Sequence, residues 1–261
     1  MADGRGVVPL SDAAWRQRTL LLIALALTVV LVMAFIKPIA QPPEYHDFKD
    51  ARAFIGIPNF LNVVSNLPFL IVGALGVRWT LSRPANLGSE LVMPYIVVFA
   101  GLAATALGSA WYHWWPDSGT LVWDRLPIAV SFMALYVAVL AERVSPKAAT
   151  MLLWPLAVYG AATVLYWHVY DDLRPYLIAQ FLPVLTMPLI LWAYPARYSL
   201  GHDFLTGVGF YAAAKLFEEM DGPMYRALLG LVSGHTLKHL AAAGGAYWIY
   251  RMLTRRTRLR S

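Results

Sequence analysis

The chain has 261 residues and no cysteine, so disulfides, thiolate zinc sites and cysteine nucleophiles are all excluded. Any transition metal must rest on histidine, carboxylate or hydroxyl ligands. Charge is also scarce, 14% of residues against 59% hydrophobic, with a mean hydropathy of +0.55. That is too little charge for the surface of an ordinary soluble domain, and it fits a polytopic membrane protein. The apolar runs lack the period-two alternation of membrane β-strands, which leaves helices as the spanning elements. P-loop and Gly-x-Gly-x-x-Gly patterns are missing, and the glycines scatter among apolar runs where small residues aid packing. Internal repeats and a second soluble domain are missing too. The net charge of +6 makes no case for nucleic acid, because Arg251, Arg255, Arg256, Arg258 and Arg260 crowd the end of the chain. They read as a membrane-flanking basic tail.

What the chain does have is eight apolar runs, at about 19–36, 58–78, 91–114, 121–141, 149–167, 176–194, 203–219 and 229–250. The first ends at Lys37-Pro38 without a convincing small-residue cleavage site, and reads as a retained helix. The seventh is short and holds Lys215, with Glu218, Glu219 and Asp221 close behind. Pro146, Pro175 and Pro195 punctuate the short connections. With eight spans, thirteen Lys and Arg fall on the side of the two termini and five on the other, so the positive-inside bias puts both termini in the cytoplasm. The expected organisation is a polar segment over 1–17, a bundle over 18–252 with its core at 58–252, and a basic tail at 253–261. The fold class is all-α, a transmembrane bundle with a seven-helix core and one extra N-terminal helix. Oligomeric state is not legible.

Chemistry concentrates in two distant fragments, Ser109-Ala-Trp-Tyr-His113 with Asp124 downstream, and His235-Thr-Leu-Lys-His239. Side chains four residues apart share a helix face, so His235 and His239 can grip one ion. The span count puts His113, Asp124 and His235 toward the same, non-cytoplasmic face, where Trp111, Tyr112, Trp114, Trp115 and Trp123 mark an interface. A lone intramembrane histidine is as often a packed residue with a satisfied ring; three at one depth are a stronger signal. Three neutral imidazoles with an open fourth position describe a catalytic zinc site that acidifies water. Ser109 lies one turn before His113 and reaches either the ion, a substrate oxygen, or simply a carbonyl one turn back. Asp124 is placed to take a proton, or else to pair with Arg125.

These fragments resemble the alkaline ceramidase family, seven-span zinc amidases related to adiponectin-type receptors. The resemblance extends to Asn59-Phe-Leu-Asn62-Val-Val-Ser65-Asn66, Gly108-Ser109-Ala-Trp-Tyr-His113, Asp124-Arg-Leu-Pro127 and Gly234-His235-Thr-Leu-Lys-His239. It implies His113, His235 and His239 as zinc ligands, Ser109 as a fourth-position or oxyanion-stabilising hydroxyl, Asp124 as general base, and hydrolysis of a membrane lipid amide such as a ceramide. Two departures stand out. The first apolar run has no counterpart in the seven-helix core, and Glu44-Tyr-His-Asp47-Phe-Lys-Asp50 does not reproduce the family's acidic calcium-binding segment. Calcium is therefore possible, through three nearby carboxylates, but not supported.

Lys215, Glu218 and Asp221 are expected to form an ion network, with headgroup recognition as the sharper reading. His46, His168 and His202 read as boundary residues without a role. A receptor that keeps zinc as a structural clamp, and a haem-binding electron carrier, remain competing readings of the same histidines.

Overall fold

The computed structural model describes residues 10–259, which fold into helices joined by loops. Helix α1 (Asp12–Phe35) opens under a Ser11 side-chain cap, which starts it well inside the polar segment expected over 1–17. It stops just before Lys37-Pro38, where the proline ring disfavours helical geometry in its neighbour. Then follow α2 (Phe60–Val64), α3 (Leu67–Leu81), α4 (Val92–Trp114), α5 (Ser118–Arg143), α6 (Lys147–Tyr170), α7 (Arg174–Ala193), α8 (Asp203–Glu219), α9 (Asp221–Ala227) and α10 (Gly234–Arg255). Pro146 sits at the N-cap of α6, Pro175 in the first turn of α7, and Pro195 just beyond its end. These are positions where the missing N–H costs nothing.

Six helical stretches among the described residues are long and apolar enough to cross a membrane: α1, Phe60–Leu81, Ser89–Trp114, α5, α6 and α7. The chain is a multi-pass membrane protein by that measure. The other two expected spans differ: α8 has only 17 residues, and α10 carries His235, Lys238 and His239 in its first turns. Both nonetheless pack along each other inside the bundle, α10 also touching α3. Helix α1 lies at the periphery against α7 and buries none of its residues, which sets it apart from the bundle.

The main core lies toward the end of the bundle away from His113, around Tyr95, Phe99, Val137, Ile190, Met252 and Leu253. A second cluster, with Tyr112, Leu121, Val164 and Trp167, packs at the other end. The expected basic tail is not simply a flanking tail. Arg256 is 1% exposed, donates to Glu142 Oε1 at 2.6 Å, and lies 4.0 Å over the ring of Tyr198. A buried guanidinium needs a paired carboxylate, and Glu142, which also accepts from Tyr95 at 2.6 Å, supplies it.

Candidate metal centre

His113 ends α4, Asp124 lies near the start of α5, and His235 and His239 open α10. The antiparallel run of these helices brings both fragments to one end of the bundle. Two glycines from the quoted fragments let the backbones approach. A Cβ at Gly108 would strike the carbonyl of Trp123, and one at Gly234 the carbonyl of Phe217. The start of α10 is held by Ser233, which accepts from Thr236 N at 3.2 Å, and by Asp221, whose Oδ1 accepts from His235 N at 2.8 Å. Asp221 is thus a helix-end anchor rather than a member of the Lys215 network.

The three imidazoles are buried, and their Nε2 atoms converge. His113 Nε2 stands 3.2 Å from His239 Nε2 and 3.3 Å from His235 Nε2. Among the described residues they form the one group of three or more His, Asp or Glu side chains placed to hold a metal ion. The spacing fits zinc: with Zn–N bonds of about 2.0–2.1 Å, tetrahedral ligand atoms stand about 3.3–3.4 Å apart. The tautomer of one ring follows from its neighbours. Ser65 Oγ stands 3.2 Å from the carbonyl of Asn62 and 2.8 Å from His239 Nδ1, and with its one proton turned to the carbonyl it accepts from Nδ1. His239 therefore carries its proton on Nδ1 and turns the Nε2 lone pair inward. Lone pairs gathered in a buried space repel unless a cation sits among them.

Further contacts hold the group. Asn59 Nδ2 donates to His113 O at 2.8 Å, and Asn62 Oδ1 accepts from Thr236 at 2.9 Å. From the segment before α2, the ring of Phe48 lies 4.6 Å from that of His113 and 4.8 Å from that of His235, screening both from water. The same segment is tied down by His46, whose Nδ1 meets Tyr112 Oη at 3.0 Å, and by Lys49 N, which donates to Asp221 at 3.1 Å. His46 is therefore no idle boundary residue. Burial, and then the charge of Arg125, lower its pKa from the usual histidine range.

Ser109 and Asp124 both line a cavity of about 480 Å³ that also reaches His239. Ser109 does not spend its hydroxyl on the carbonyl one turn back. Nor does Asp124 pair with Arg125, which donates to Gln41 at 2.6 Å and stacks among Tyr45, Trp167 and Tyr176. At the cavity edge Glu218 accepts from Lys215 at 2.7 Å, Lys238 at 2.6 Å and Tyr45 at 3.0 Å. Burial and the Glu218 charge raise the Tyr45 pKa, keeping its phenol a donor. The partners Lys238 and Tyr45 had no signal in the sequence, since 20 and 173 residues separate them from Glu218. Of the carboxylates considered for calcium, Asp50 is engaged bidentately by Arg52 at 2.8 Å.

The fold and this site define a class: a helical membrane protein with a buried three-histidine cluster that could hold a metal ion, beside a mostly apolar cavity lined by one of the three. A model of the ceramidase family matches residues 53–200, more than half of the chain, and the chain belongs to that family. The matched stretch takes in Ser65, Ser109, His113 and Asp124, and ends before His235 and His239, which only the fold brings to them. No curated protein matches the chain. Family membership implies hydrolysis of a ceramide-type amide, and the buried triad is a place where a metal ion can be held.

Proposed function

We propose that the protein is a zinc-dependent membrane hydrolase that cleaves the amide of a ceramide-like lipid to a fatty acid and a lipid amine. The observation that carries this is the convergence of the His235 and His239 Nε2 atoms on that of His113, at 3.3 and 3.2 Å, beside an apolar cavity lined by Ser109 and Asp124. His113, His235 and His239 would hold the zinc, which supplies Lewis-acid polarisation of the amide carbonyl and acidifies water. Asp124 takes the proton from the attacking water and passes it to the departing nitrogen, so that the amine leaves neutral. Ser109, which lines the same cavity as Asp124, donates its hydroxyl proton to the oxygen on which charge develops. Phe48 and the surrounding burial exclude bulk water, which strengthens each of these contacts. The positive-inside count supports both termini in the cytoplasm and the site toward the other face.

The test is metal content and lipid amide hydrolysis of purified protein. About one zinc per chain is expected, lost together with turnover in His235→Ala. Retention of both in that variant overturns the proposal. Asp124→Asn separates an enzyme from a zinc-stabilised receptor: it keeps the metal and loses turnover about 10²–10⁴-fold in the enzyme.

A further inference from the structure

The cavity beside the histidines runs along the bundle. From Ser109, Asp124 and His239 at the metal end, its lining continues helix by helix to Val98 on α4, Leu135 on α5, Met187 on α7, Phe204 on α8 and Ile249 on α10. Ser109 to Val98 and Asp124 to Leu135 are eleven residues each, and His239 to Ile249 ten, a depth of about 15–17 Å at the helical rise. That is about half of the ~30 Å hydrocarbon core of a bilayer, the share of a single leaflet. Val98, Met187, Phe204 and Ile249 belong to the main buried core, and Leu135 packs against it. Polar partners such as Tyr45, Glu218 and Lys238 gather at the metal end, while side chains such as Leu102, Phe132 and Val184 line the lane.

We infer that the cavity is a ruler for the acyl chain: one straight hydrocarbon chain lies in it with its carbonyl at the metal centre, and these five floor residues set the longest chain that fits. The inference rests on the proposed lipid amide hydrolysis and adds the class of substrate by length. With C–C bonds of about 1.5 Å, an extended chain advances about 1.25 Å per carbon, so ~16 Å takes about 13 carbons beyond the carbonyl. The optimum is therefore an acyl group of about 14 carbons. The lipid amine carries the polar groups and remains at the metal end, where its hydrogen bonds are satisfied.

Two readouts on the full chain in detergent micelles test this. One is the thermal shift produced by saturated straight-chain fatty acids from about 8 to about 22 carbons, and the other is kcat/KM for lipid amides with the same acyl series on one base. Both are expected to peak within two carbons of 14 and to fall toward 20, and Ile249→Ala or Phe204→Ala should move the peak to longer chains by about two or three carbons. Readouts that keep rising to the longest chain, or a peak that neither variant moves, overturn the ruler. The wild-type series decides alone if a variant fails to fold. A length cut-off in binding without hydrolysis of any amide would sink the hydrolase reading and leave the ruler standing. Equal hydrolysis at all lengths does the reverse.

Discussion

Ser65 never touches the proposed ion, yet its replacement should be felt there. Its hydroxyl is buried, donates to the Asn62 carbonyl and accepts from His239 Nδ1 at 2.8 Å. In Ser65→Ala the Nδ1–H loses that acceptor inside the protein, where an unsatisfied donor costs about 1–3 kcal/mol. The ring can then turn or switch tautomer, and the Nε2 lone pair is no longer fixed on the other two histidines. Loss of such an outer partner typically weakens a metal site about 10–100-fold, equivalent to about 1.4–2.7 kcal/mol. Competition for zinc against a chromophoric chelator measures it, with helix content by circular dichroism as the control for folding. Ser82→Ala, which removes an exposed hydroxyl at the end of α3 bonded to Trp79 O, should leave zinc affinity unchanged. A folded Ser65→Ala protein with wild-type zinc affinity would refute the argument that Ser65 sets the tautomer of His239.

Three further outcomes follow from the same contacts. Gly108→Ala pushes a Cβ into the Trp123 carbonyl and should force α4 from α5 at a cost of about 1–3 kcal/mol, lowering both the unfolding temperature and turnover. Glu142→Gln leaves Arg256 as an uncompensated buried charge, and should cost about 3–5 kcal/mol in thermal unfolding, while replacing both partners by apolar residues should cost less. His46 has its pKa lowered in the folded protein, so the unfolded chain binds its proton first as the pH falls below about 6.5. The contact of His46 with Tyr112 is therefore fully present above that value and is lost on acidification, which limited proteolysis of the 43–58 segment at a series of pH values should register.

The amino-acid sequence by itself determined the helices, because each apolar run is long enough to satisfy its backbone internally, and Pro146, Pro175 and Pro195 fall at helix starts and ends while Pro127, Pro155, Pro183 and Pro188 are carried inside helices. It also determined that His235 and His239 share a face, since four residues are one turn, and that Ser109 lies one turn from His113. Local pattern of this kind needs no knowledge of neighbours. The fate of charge was less legible. Arg256 reads as tail and is buried, because its partner Glu142 is 114 residues away, and Asp221 reads as part of an ion network and instead caps α10.

Only the tertiary structure decided the rest. Ser65 and His239 are 174 residues apart, and nothing in either fragment says which nitrogen of the ring carries the proton. Phe48 follows a single 3-10 turn at Pro43–His46, and its position over His113 and His235 depends on the segment's anchors at Tyr112, Asp221 and Glu218. The two fragments that look like halves of one site become one only in the packed bundle, where Gly108 lets α4 close on α5, Gly234 lets α10 close on the end of α8, and His113 Nε2 stands 3.2–3.3 Å from those of the α10 histidines. Helical periodicity places residues on a face; which faces meet, and at what depth, is set by packing between segments far apart in the chain.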